Sequence, residues 1–237
     1  MKQSYLETLE IEPDRSATAS VIWMHGLGAD ASDFYSLVSQ LGLPPEPAVR
    51  FVFPNAPKIP VTINMGMIMR AWYDVTGFGR KDQDEPRIRQ SGAWIDEVVA
   101  REVDRGVDPG RVVLAGFSQG GAMALFAGLR QHESLAGLIC LSGYLLLDEE
   151  LESIAKGGGP FPPIFQAHGT EDPVVPYDTG LRSRDLLAAA GYGVEWREYP
   201  MGHQVCLEEI RDIGVWLIGV LNSGQPEAGF SGPSDRP

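Results

Sequence analysis

Residues 111–129 read RVVLAGFSQGGAMALFAGL, and the fold follows from how this stretch is divided. From Val112 to Leu129 the chain carries no charge for 18 residues, the length of a minimal membrane-spanning helix, yet Gly116, Ser118, Gln119, Gly120 and Gly121 break its apolar character midway. It therefore reads as two elements: a strand at Arg111 to Phe117 and a helix at Gln119 to Arg130, joined by a turn. Gly116-Phe117-Ser118-Gln119-Gly120 matches G-x-S-x-G at the strand-to-helix junction where a nucleophile elbow belongs. So sharp a turn leaves no room for side chains two positions to either side of the serine and holds the serine itself strained. Gly121 and Ala122 then let the helix lie close against the sheet.

Outward from this junction, strands and helices alternate. Tyr5 to Ile11 reads as an edge strand, and Ser20 to Met24, Val49 to Phe53, Leu135 to Leu141, Pro163 to Ala167 and Val194 to Tyr199 as further strands. Helical spacing marks Ser32 to Leu41, Ile88 to Val103, Leu181 to Ala190 and Val205 to Leu221, while residues 55–86, rich in Pro, Gly and Met, fit neither pattern. This order specifies an α/β fold with a mostly parallel central sheet flanked by helices on both faces. The apolar runs Val112-Val113-Leu114 and Leu138-Ile139-Cys140-Leu141 suit central strands buried on both sides. One domain over residues 1–221 is expected. The remainder, 222–237, holds three each of Gly, Ser and Pro and is expected to stay disordered.

The balance of 19 basic and 32 acidic residues, a net charge of −13, repels polyphosphate and argues against a nucleic-acid partner. Two cysteines, Cys140 and Cys206, are too few for a disulfide scaffold, and His203 and Cys206 at i, i+3 lack a second ligand pair, so no structural zinc is expected. Glu7, Glu10 and Glu12 stand where a signal peptide needs an apolar segment, which points to a cytoplasmic protein with no integral membrane segment. A homodimer is compatible with the sequence.

A seryl hydroxyl needs a base, and the base an orienting carboxylate. On a sheet of this order the chain sequence is Ser, then Asp or Glu, then His. His25, His132 and His168 come too early, leaving His203 in the loop Met201-Gly202-His203. Glu171, Asp172 and Asp178 are available as the acid; Asp172 is preferred, because it follows the strand ending in His168-Gly169 and Pro173 pins its backbone. The oxyanion needs preformed N–H donors, offered by Gln119 and by Leu27 in His25-Gly26-Leu27-Gly28. The same loop fits a dinucleotide fingerprint, but no acidic residue ends the next strand to bind ribose, and Asp30 would repel the pyrophosphate. No metal or organic cofactor is expected.

Taken together, HGLGAD at 25–30, Asn55-Ala56-Pro57, Trp72-Tyr73-Asp74, GFSQGGAMAL at 116–125, HGTEDPVVP at 168–176 and the MGH loop resemble the α/β-hydrolase carboxylesterases of the phospholipase/carboxylesterase group, which includes acyl-protein thioesterases. The Arg70 before Trp72 is similar to the bacterial carboxylesterases in particular. The resemblance implies a Ser118, Asp172, His203 triad with an oxyanion hole from Leu27 and Gln119, as the residues themselves suggest. It implies a serine carboxylesterase acting on a small-molecule ester of short to medium acyl chain. Thioester or lysophospholipid hydrolysis is the alternative, and a non-catalytic ligand-binding protein is the reading from a different class. Met65 and Ile68, with Trp72 and with Leu145 and Leu146 beyond the strand at 135–141, are expected to line the acyl groove, where flexible thioethers suit varied chains.

Overall fold

A computed structural model describes residues 6–77, 83–158 and 161–222; the expected tail lies outside these, except for Asn222. Among the described residues, nine strands form: β1 (Thr8–Ile11), β2 (Ala19–Met24), β3 (Val49–Pro54), β4 (Lys58–Val61), β5 (Met67–Arg70), β6 (Val112–Phe117), β7 (Gly137–Leu141), β8 (Ile164–Gly169) and β9 (Val194–Tyr199). Five α-helices accompany them: α1 (Glu85–Asp104), α2 (Gln119–Gly128), α3 (Leu151–Lys156), α4 (Tyr177–Ala189) and α5 (Leu207–Asn222).

Seven strands form one sheet in the order β1-β3-β2-β6-β7-β8-β9. Only β1 runs antiparallel, pairing with β3; every other pair is parallel. Because side chains alternate across a strand, each central strand feeds two cores. Ile22, Met24, Leu114, Leu138 and Cys140 face one layer with residues of α1, α2 and α4. Val21, Trp23, Val113, Ile139 and Phe165 face the other with α5. Helix α2 is buried along its whole length, which is why its sequence is apolar or small on every side. No helix among the described residues is long and apolar enough to cross a membrane.

The chain order of the strands reverses between β2 and β6. Ligands in open parallel sheets bind at such switch points, beyond the carboxyl ends of the strands. Here those ends release the loop at 25–30 from β2 and Ser118 from β6.

Several segments differ from the sequence expectation: α3 lies outside the helices expected from spacing, and α4 begins at Tyr177, four residues before the expected Leu181. The helical spacing at 32–41 produces a 3-10 helix, Tyr35–Gln40, with no side-chain cap at its start, instead of an α-helix. Within the irregular stretch at 55–86, β4 and β5 pair as an antiparallel hairpin whose turn places Met65 in the left-handed region, at φ 56°.

Glu209, near the start of α5, is fully buried, and neither of its carboxylate oxygens meets a hydrogen-bond donor among the described residues. Burial pushes its carboxyl up to about 8; the nearby Cys206 backbone N–H, outside hydrogen-bonding geometry, opposes the rise, and Asp212 adds to it. A carboxyl raised in the folded state favours folding fully below its unfolded value, and that stability is lost as pH rises through the folded value. Glu209→Gln should therefore raise the melting temperature over wild type by several degrees at pH 9 and by much less at pH 5. Thermal melts at both pH values measure this, and an equal difference at both would contradict a buried neutral acid.

Candidate active site

Ser118 occupies the turn between β6 and α2 with φ 55° and ψ −119°, a backbone conformation that costs a residue with a side chain about 1–3 kcal/mol. Its surroundings enforce it. A Cβ on Gly116 would lie 2.2 Å from the carbonyl of Gly120, and one on Gly120 would lie 2.2 Å from the Met24 oxygen at the end of β2. The Ser118 N–H donates to Leu141 O at 2.7 Å, extending the ladder with β7, while its carbonyl accepts the Ala122 N–H at 3.0 Å.

Two side chains from distant loops converge on the serine. His203 Nε2 lies 2.9 Å from Ser118 Oγ, and His203 Nδ1 lies 2.7 Å from Asp172 Oδ2. The carboxylate can only accept, so the ring proton sits on Nδ1 and Nε2 is free to take the seryl proton. Asp172 is buried, and its Oδ1 accepts the N–H groups of Val174 at 2.8 Å and Val175 at 2.9 Å. The ring of Phe117 packs against that of His203 at 4.8 Å between centroids. Glu171 and Asp178, the other candidate acids, are exposed, and Asp178 lies on α4.

Leu27 and Gln119 both line the same cleft. His25 shapes the loop that presents Leu27. Its Nδ1–H donates to Gly26 O at 2.7 Å, and its Nε2 accepts the Ala56 N–H at 3.1 Å. Burial holds this imidazole below its ordinary pKa, and the charge of Arg70 pushes it the same way. The neutral ring can therefore serve as both donor and acceptor.

A cleft of about 310 Å³ opens beside Ser118, and its walls include Leu27, Ile63, Tyr73, Val75, Phe117 and Val174. The residues expected to line an acyl groove lie elsewhere. Met65 is 94% exposed and Ile68 68% exposed on the hairpin; Ile63 and Asn64 of the same hairpin border the cleft instead. Leu145 and Leu146 are buried in the core, and of their segment only Tyr144 reaches the cleft. Trp72 is 1% exposed and acts as a clamp: its Nε1–H donates to His25 O at 2.9 Å and its backbone N–H to Gln119 Oε1 at 2.8 Å. Apolar loop residues look alike in sequence whether they line a cleft or fill a core. Tyr73 lay within the Trp72-Tyr73-Asp74 string and Val174 and Val175 within HGTEDPVVP, whereas nothing in the sequence pointed to Val75. No group of three or more His, Cys, Asp or Glu side chains that could hold a metal ion occurs among the described residues.

A mostly parallel sheet with a serine–histidine–aspartate chain at its switch point defines an α/β-hydrolase, and the protein is a serine hydrolase. The model of the phospholipase/carboxylesterase family matches residues 7–218, and the chain belongs to that family. It is 43% identical to an acyl-protein thioesterase 1 of Neurospora crassa over 214 residues, 84% of this chain and 86% of that protein. It is 40% identical to the acyl-protein thioesterase 1 of Emericella nidulans over 219 residues, covering 86% of this chain and 91% of the relative. Among solved structures, the Zea mays acyl-protein thioesterase 2 is similar at TM-score 0.78 and 27% identity, covering 92% of this chain and all of that one. A bacterial carboxylesterase, from Bacillus cereus, shares the fold at TM-score 0.71 and 15% identity, covering 92% of this chain and 96% of the other.

The packing of α2 on β2 leaves no room for a side chain at Gly120, whereas Gly219 on α5 is unconfined. Gly120→Ala should cost about 3 kcal/mol or more, the upper range of overpacking penalties. Gly219→Ala, at an exposed site on α5 with nothing within 4 Å of an added Cβ, should gain up to about 1 kcal/mol from helix propensity. Urea unfolding of the two variants checks the contrast, and similar midpoints would contradict it.

Proposed function

We propose that this serine hydrolase cleaves acyl thioesters of the kind that join fatty acyl chains to protein cysteines, with Ser118 as nucleophile, His203 as base and Asp172 as its orienting acid. The observation that carries this reading is the similarity, at about 40% identity over most of the chain, to proteins named acyl-protein thioesterase 1. The apolar walls of the cleft beside Ser118 support it, since they suit an acyl chain better than a polar acid. At about 310 Å³ the cleft is at the small end of ligand pockets. A long chain therefore runs out past the rim, where Ile63 and Val174 are each about half exposed.

In this mechanism Ser118 Oγ attacks the acyl carbonyl as its proton passes to His203 Nε2. Asp172 stabilises the imidazolium, and the Leu27 and Gln119 N–H groups receive the oxyanion. The imidazolium returns the proton to the departing thiol. Water, deprotonated by the same ring, then hydrolyses the acyl-serine. Oxygen esters pass through the same steps, and so short- to medium-chain carboxylesters are the second class of substrate for this site.

An S-palmitoylated peptide, the p-nitrophenyl esters from acetate to palmitate and a lysophospholipid form the discriminating panel. Higher kcat/KM for the acyl peptide than for every oxygen ester is expected; a clear preference for short esters would restore the carboxylesterase reading. Ser118→Ala should lower kcat at least about 10³-fold, and Asp172→Asn about 10⁴-fold, while Glu171→Gln should leave it unchanged. Loss in the Glu171 variant with activity retained in the Asp172 variant would move the acid.

A further inference from the structure

His168, next to last in β8, is a histidine that the chemistry above does not use. It is fully buried. Its ring lies parallel to Trp196 at 6.4 Å and edge-on to Tyr177 at 6.1 Å between centroids. Nε2 is 2.9 Å from the Val175 carbonyl oxygen and 3.5 Å from Asp172 Oδ2. Nδ1 has no partner among the described residues and faces Gly180 so closely that a Cβ there would lie 2.5 Å away.

These contacts fix the protonation of the ring. Both groups facing Nε2 are acceptors, so the proton of a neutral ring belongs on Nε2, and an Nδ1–H would be buried with nothing to receive it. Burial holds the imidazole neutral, against the pull of the Val175 carbonyl and the Asp172 charge. The other charged and titratable groups around it are His203 across Asp172, Tyr177 on α4 with Glu198 of β9 on its hydroxyl, and Arg184 of α4 over Trp196.

The Val175 carbonyl that His168 holds belongs to the residue whose N–H binds Asp172 Oδ1. We propose that His168 is a positioning residue for the triad: its Nε2–H anchors the turn 172–175 to β8, so that Asp172 presents Oδ2 to His203 in one orientation. The proposal rests on the triad reading. Without this anchor, the two N–H groups that grip Oδ1 move with the turn. The carboxylate then swings away from His203 Nδ1, where a displacement of about 1 Å can cost 10²-fold in rate.

The test uses His168→Phe and His168→Gln in the full chain, each alone and combined with Asp172→Asn. Phe keeps a ring between Trp196 and Tyr177 but removes the N–H; Gln carries an amide nitrogen about as far from the backbone as Nε2. With active sites counted by fluorophosphonate labelling, kcat for His168→Phe should fall about 10²-fold with KM nearly unchanged, and His168→Gln should recover at least tenfold of that loss. A residue that acts through Asp172 adds little once Asp172 is neutralised, so His168→Phe should cost less than about threefold in the Asp172→Asn background. Losses that multiply in the double variant, or a Gln variant no better than Phe, would overturn the proposal. If Asp172→Asn alone proves harmless, it is the triad assignment that fails.

Discussion

The site depends on a backbone-to-backbone contact, the approach of the first turn of α2 to the carboxyl ends of β2 and β6. Gly120 meets the Met24 carbonyl, and Gly116 meets Gly120, at distances that no side chain can enter. This contact forces the chain through the strained conformation at Ser118, which lines the cleft. The strain of about 1–3 kcal/mol is sustained because α2 is buried throughout and β6 everywhere except the half-buried Phe117. Hence the nucleophile is held by main chain packed between two cores and does not depend on the loops that bring the acid and base.

A second layer of contacts joins the loop that carries Leu27 to the start of α2. The loop after β2 and the start of α2 are separate in sequence, and Trp72 links them: its indole N–H holds His25 O, and its backbone N–H holds Gln119 Oε1. Gln119 Nε2 donates in turn to Tyr73 O, and the Gly28 N–H to Arg70 O. The segment at 70–73 thus ties together the two backbone stretches proposed to receive the oxyanion, with hydrogen bonds made before any substrate arrives, and such preorganisation lets fixed dipoles stabilise developing charge without reorganising. It also explains why a residue expected to touch acyl chains is 1% exposed.

What the sequence made legible follows from the range of the interactions involved. The strands of the seven-stranded sheet and the elbow were readable because their signals are local: apolar runs, glycines at fixed offsets from a serine, and helical spacing on either side. The histidine and acid were readable because chain order on a parallel sheet restricts which loops can meet at one end. The 3-10 helix at Tyr35–Gln40 was missed, since helical spacing does not report the tightness of a turn. The cleft walls were missed for a stronger reason. Met65 and Leu145 are equally apolar in sequence, yet one stands on a hairpin turn and the other fills the core, and only the pairing of β4 with β5 and the packing of α2 separate them.

The placement of these parts bears on how one site can serve two kinds of ester. A cysteine thiol has a pKa near 8.5, whereas alcohols are about as weakly acidic as water, near 15.7. A departing thiolate therefore asks little of the His203 imidazolium, and the larger demand falls on stabilising the oxyanion and holding the acyl chain. In the proposed mechanism the first of these tasks falls to the Gln119 N–H at the start of a buried helix and to the clamped loop around Leu27. Proton delivery rests on loops at the other side of the cleft, where Asp172 is held by the turn it begins. Disturbing the acid should on this account harm oxygen esters more than thioesters, because only the alkoxide depends strongly on a well-oriented proton donor.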